Sequence, residues 1–146
     1  MKSKRWLTGI TLVVLACPLP ALAALGGNTA SVHADQLQLK ATVRTLPASA
    51  FTQFELQLPS GTTVRQYVSA SGAVFAVTWE GASLPDLQRL LGSYFQRYVD
   101  AGGGTGPRLI QQPGLVVSSV GHMRAFRGRA YVPGLMPEGI ALEEIQ

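Results

Sequence analysis

One cysteine and two histidines stand in a chain of 146 residues that carries eight carboxylates. That scarcity removes most thiol, metal and acid–base chemistry before any motif is sought. His33 has Asp35 two residues away, yet no second His, Cys or carboxylate at helix-face spacing completes a metal site. Ser118 or Ser119 with His122 and Asp86 contains the residue types of a nucleophile triad, but no Gly-x-Ser-x-Gly elbow surrounds either serine. The glycine run from Gly102 to Gly106 lacks the Lys-Ser/Thr of a phosphate loop, since Pro107 and Arg108 follow it and a helical pattern precedes it. A dinucleotide fingerprint fails as well, because no glycine stands three residues beyond Gly106. The sequence therefore assigns no catalytic, cofactor-binding or metal-ligating residue. A small-ligand-binding or hydrolase-like site around His122 or His33 is the alternative reading.

What the first residues do have is the pattern of an export signal. Lys2, Lys4 and Arg5 precede an apolar run from Trp6 to Ala16 that is too short to span a bilayer comfortably, and Ala21-Leu22-Ala23 follows Pro18 and Pro20. The pattern predicts a signal peptide over 1–23, cleaved after Ala23, and a periplasmic or secreted product. Removing those 23 of 146 residues leaves 123. Three of the twelve basic residues leave with it, so nine face eight acidic ones and the formal charge falls from +4 to +1. A near-neutral exported chain gives no reason to expect nucleic acid as a partner. Cys17 leaves too, which excludes disulfides in the mature form. Val14-Leu15-Ala16-Cys17 also resembles a lipoprotein box, and a lipidated Cys17 anchoring the protein to a membrane is a competing expectation.

Residues 51–99 carry the clearest local signals. Phe54, Leu56 and Leu58 alternate with Gln53, Glu55 and Gln57, which is the period of a half-buried strand. Pro59-Ser60-Gly61 and Ser69-Ala70-Ser71-Gly72 are turn sequences, so Thr52–Leu58, Thr62–Val68 and Val74–Trp79 form a predicted three-stranded meander over 52–79. Val74 to Trp79 is apolar on both faces, as befits a strand inside the sheet. Ser83-Leu84-Pro85-Asp86 reads as a capping box with Ser83 at its start. Leu84, Leu87, Leu90, Leu91, Tyr94, Phe95, Tyr98 and Val99 then predict one principal amphipathic helix over 84–99.

The flanks are less defined. Residues 24–30 are small and read as a flexible leader, and 31–44 fits a short helix or a strand, ended by Pro47. Gly102 suits a helix C-cap. Gly114–Val120 and Arg124–Val132 predict two further strands around Gly121-His122, and the tail 135–146 is left open. Arg124, Phe126, Arg127, Arg129 and Tyr131 interleave cations with aromatics. Along a strand Arg127, Arg129 and Tyr131 share one side. Arg124, Arg127, Arg129 and Tyr131 are therefore the candidate partner-binding residues, suited to an envelope protein or an acidic envelope component.

Several of these segments occur together in a known pattern. Ala24-Leu25-Gly26-Gly27, Leu58 to Thr62 with Val64 to Tyr67, Gly72 to Gly81, and Pro85-Asp86-Leu87 with Leu90 to Phe95 resemble a domain-of-unknown-function family, number 2844, of small exported proteobacterial proteins. The resemblance covers most of the chain beyond the signal. It implies export and a common fold, and it carries over no activity and no catalytic residue.

The expectation is one α+β domain over 31–146: an antiparallel sheet of about four to six strands with one principal helix packed on it. Its expected role is that of a non-enzymatic interaction or accessory domain.

Overall fold

The computed structural model describes residues 25–104 and 106–146. The expected signal segment, Cys17 included, lies outside them. Turn chemistry and strand period produce four consecutive antiparallel strands: β1 (Thr42–Pro47), β2 (Phe51–Gln57), β3 (Thr63–Ser69) and β4 (Val74–Gly81). Gly61 and Gly72 take φ of 82° and 86° in the second and third connections, which a side chain would oppose. A second meander follows, made of β5 (Arg108–Gln112), β6 (Leu115–His122) and β7 (Ala125–Tyr131). β7 pairs antiparallel with β4 and joins the two meanders into one sheet of order β1-β2-β3-β4-β7-β6-β5.

The sheet thus has seven strands, not four to six. The two extra ones are its edges. β1 is hidden in the sequence because it directly follows helix α1 (Thr29–Leu39), the chain reversing at Lys40 with φ 51°. β5 is hidden because Ile110 is its single buried residue. β4 stands in the middle as its composition predicts, with every residue from Val74 to Trp79 buried.

One face of the sheet carries Phe54, Leu56, Val64, Val68, Val77, Trp79, Val117 and Ala130, covered by Leu25, Val32, Leu87, Leu90, Leu91 and Tyr98. Residues 25–28, which the sequence presents as part of a flexible leader, are tied into this layer. Leu25 is buried, its N–H donates to Leu90 O, and Gly26 and Gly27 exchange hydrogen bonds with Val74. The helix expected over 84–99 is shorter and broken: α2 (Leu87–Leu91), a 3-10 turn (Gly92–Tyr94) and α3 (Phe95–Asp100). Gly92, at φ 51° and ψ −122°, interrupts it in a conformation that side chains disfavour. The N-cap is Asp86 rather than Ser83. Pro85 disfavours helical backbone at Leu84, and the Asp86 carboxylate accepts from Arg89 N at 3.1 Å. Ser83 uses its backbone instead, its carbonyl accepting from Thr62 Oγ1 at 2.7 Å.

A buried polar cluster locks α1 to the sheet. Gln66 Nε2 donates to Asp35 Oδ2 at 3.2 Å, and Arg89 Nη1 lies 3.8 Å from Asp35 Oδ1. Both Asp35 and Gln66 are almost wholly excluded from solvent. Such a cluster is demanding of geometry, because removing one member strands the other.

Candidate functional site

The opposite sheet face has no α-helix over it among the described residues. Strand register places its side chains in rows that cross the sheet. One row runs Arg44, Glu55, Arg65, Thr78, Arg129, Ser118 and Leu109, one residue from each strand in sheet order. A second runs Gln57, Thr63, Glu80, Arg127 and Val120. A third, Gln53, Tyr67, Ala76, Tyr131 and Val116, is apolar at its centre.

The chain covers that third row itself. After β7 it turns back, and residues 133–146 lay Leu135, Met136, Ile140, Leu142 and Ile145 against Tyr67, Phe75, Ala76 and Tyr131. Ile145 is 1% exposed. Polar contacts fix the segment to the strands. Tyr67 OH donates to Gln146 O at 2.6 Å and accepts from Gln146 N at 3.0 Å, while Arg129 Nη1 donates to Leu142 O at 3.1 Å.

Beside it the first two rows lie open as a groove of about 630 Å³, lined by Glu55, Arg65, Thr78, Glu80, Arg127 and Arg129 among others, with Val120 at one side and Ile145 and Gln146 at the other. That volume lies within the roughly 300–1,000 Å³ of ligand-binding clefts. Its charges are paired across strands. Arg65 Nε donates to Glu55 Oε2 at 2.9 Å with both side chains about a quarter exposed, and Arg65 Nη1 reaches Gln146 O at 3.3 Å. Arg127 Nη2 donates to Glu80 Oε1 in the open, at 69% and 48% exposure. That bond holds the Glu80 carboxyl below its ordinary value. Burial pushes the Tyr67 phenol up, against the lowering effect of the nearby Thr78 side chain and of its hydrogen bond to Gln146. Each guanidinium has five N–H donors, and these contacts occupy only some of them.

The structure gathers the sequence-predicted residues only in part. Arg127, Arg129 and Tyr131 share the open face, but Tyr131 is packed under the C-terminal segment. Arg124 sits apart in the β6–β7 turn at φ 64°, fully outside the strand that it was expected to begin. The residues missed by sequence reading are Glu55, Arg65, Thr78 and Glu80. Alternation put Glu55 on a polar face, but only the β4–β7 register brings these side chains to the arginines.

His33 and His122 are exposed on separate elements, and among the described residues neither ring is hydrogen-bonded. His33 touches the Phe54 ring edge-on, centroids 6.2 Å apart. Asp35, its sequence neighbour, turns instead into the core. Among the described residues no three His, Cys, Asp or Glu side chains gather to hold a metal ion, and no helix is long and apolar enough to cross a membrane.

No curated protein and no solved structure matches the chain. A family model does, over residues 21–145, and it includes every strand of the sheet. The chain belongs to that family, described as protein of unknown function (DUF2844).

Proposed function

We propose that this protein works outside the cytoplasm as a non-enzymatic binding module of the cell envelope, and that it meets its partner in the groove on the open sheet face. The observation that carries this reading is the charged row Glu55, Arg65, Thr78, Arg129 and Ser118, lined up across five strands on the face without α-helices. Rigid strands hold these groups at fixed spacing, which favours recognition over adaptable surface solvation. Export is supported by the signal pattern over 1–23. A non-enzymatic role is supported by a groove whose charged groups are spent on one another rather than on a nucleophile or general base.

The test is crosslinking in the envelope with a photoreactive residue at Val120, beside the groove, or at Leu37, which is exposed on α1 in the helical layer. An adduct formed at 120 and lost on free competition, without one at 37, supports the reading. Adducts at neither position, or equally at both, refute it. Intact mass of the exported chain tests compartment: a product beginning at Ala24 supports cleavage there, and one beginning at a lipidated Cys17 replaces it with a membrane anchor.

A further inference from the structure

We infer that the groove takes an acidic peptide bearing aliphatic side chains, a conclusion that rests on the groove being the binding site. The chain's own residues 142–146 lie along one border of the groove and display what this face recognises. Main-chain oxygens are received there by guanidinium and phenol donors, Leu142 O by Arg129 and Gln146 O by Arg65 and Tyr67. An aliphatic side chain, Ile145, is buried in the adjoining apolar row. The face therefore already holds a polypeptide, a 3-10 turn over Leu142–Glu144 and the two residues after it, by its backbone and one branched side chain.

The open remainder repeats those two kinds of partner. Arg127 stands across the groove at 69% exposure, with only Nη2 engaged by Glu80. Such exposed pairs exchange partners at little cost, about 0–1 kcal/mol, so an incoming carboxylate can take Arg127 without a large penalty. Arg65 and Arg129 flank Thr78 in the neighbouring row, giving three guanidiniums against the two carboxylates of Glu55 and Glu80. Val120 pairs directly opposite Arg127, and Leu109 opposite Ser118, and both are more than half exposed on this same face. Cross-strand neighbours lie about 5 Å apart, so an anion seat and an apolar seat fall within reach of adjacent side chains of one bound segment. An acidic polysaccharide would satisfy the arginines and leave Val120 and Leu109 in water; a peptide satisfies both.

The experiment uses the mature chain and three probes: a fluorescent hexapeptide of alternating valine and glutamate, the same peptide with glutamine for glutamate, and oligogalacturonate. Anisotropy measures affinity, and amide chemical shifts locate the site. The expected result is glutamate-peptide binding that shifts amides of β3, β4 and β7, with the glutamine peptide about tenfold weaker, the loss of one charge-assisted hydrogen bond. Arg127→Gln is expected to weaken the glutamate peptide about tenfold and leave the glutamine peptide unchanged, and Val120→Glu to weaken both. Both positions are exposed, so the variants stay folded with at most the small loss of an exposed ion pair, and the melting curve is recorded beside each titration. Equal affinity for the two peptides overturns the acidic preference. Oligogalacturonate shifting the groove amides while the peptides do not overturns the inference and leaves the binding reading standing. Absence of groove shifts with every probe also overturns it, and the binding reading is then decided by crosslinking at Val120.

Discussion

Replacing Gly128 by alanine tests the packing that holds the two meanders together. Gly128 lies opposite Trp79 in the β4–β7 pair, and a Cβ there would run into Cζ2 and Cε2 of the indole and come within 2.9 Å of Ser118 O. Trp79 is 1% exposed and has no free direction of retreat, and Ser118 belongs to β6, which withdraws only if its ladder to β7 opens. Overpacking of this kind costs about 1–3 kcal/mol, and a contact with two rigid partners belongs at the upper end. Against it stands the entropy that a Gly→Ala change removes from the unfolded chain, about 0.4–1 kcal/mol in favour of folding. The difference leaves a destabilisation of about 2 kcal/mol, or a fall of about 1.3 M in the urea midpoint at a slope near 1.5 kcal/mol/M. The assay is built in: of the two tryptophans, Trp6 lies in the expected signal, so Trp79 reports unfolding by itself in the mature chain. A midpoint within about 0.3 M of wild type would refute the steric reasoning. The cause is confirmed by a Trp79→Leu background, followed by circular dichroism, in which the added methyl has room and its cost shrinks.

Removing the Asp86 cap by Asp86→Ala should cost about 1 kcal/mol in chemical unfolding, whereas Ser83→Ala should stay within about 0.5 kcal/mol, because only Asp86 accepts from the helix. Tyr67→Phe should lose about 1 kcal/mol by releasing Gln146. Its pH signature has a definite sign. The phenol is raised in the folded state above its ordinary 10.0, so its contribution is whole below pH 10 and is lost as pH rises beyond it; the Phe variant should show a shallower alkaline decline. In Arg127→Gln the Glu80 carboxyl should move up toward 4.5 in an NMR titration. Since a depressed carboxyl stabilises above its unfolded value and ceases to as pH falls, the variant should lack a small increment that wild type has near neutral pH and should show a shallower acid decline, small because the pair is exposed.

β2, β3 and β4 are legible in the sequence because two independent signals coincide at each hairpin. Gly61 and Gly72 supply the turns that the alternation on either side requires. The edges are not legible, since an edge strand buries little: β1 has no fully buried residue and β5 has Ile110. Period two also places Arg127, Arg129 and Tyr131 on one side, and register confirms it. What period two does not carry is which strands become neighbours. Glu80 meets Arg127, and Thr78 meets Arg129, through a pairing between residues far apart in the chain. Asp35 is an intermediate case. Ser31, Val32 and Asp35 share one helical stripe, so its burial was readable from spacing, but its charge argues for the outside until Gln66 and Arg89 arrive.

The position of β7 sets the timing of folding. The last strand synthesised lies between β4 and β6, near the middle of the sheet rather than at its rim. A chain that emerges N-terminus first completes β1 to β4 early, and β4 then waits with one side unpaired while all of residues 82–124 follow. Val74 to Trp79 form during that interval an apolar open edge, the kind that templates aggregation. Docking of β7 is the non-local event that ends the exposure, and it makes the folding rate depend on chain closure rather than on any single hairpin. A cell producing this protein has reason to keep the nascent chain shielded until Tyr131 is available, and a truncation before β7 should yield aggregate rather than a smaller domain.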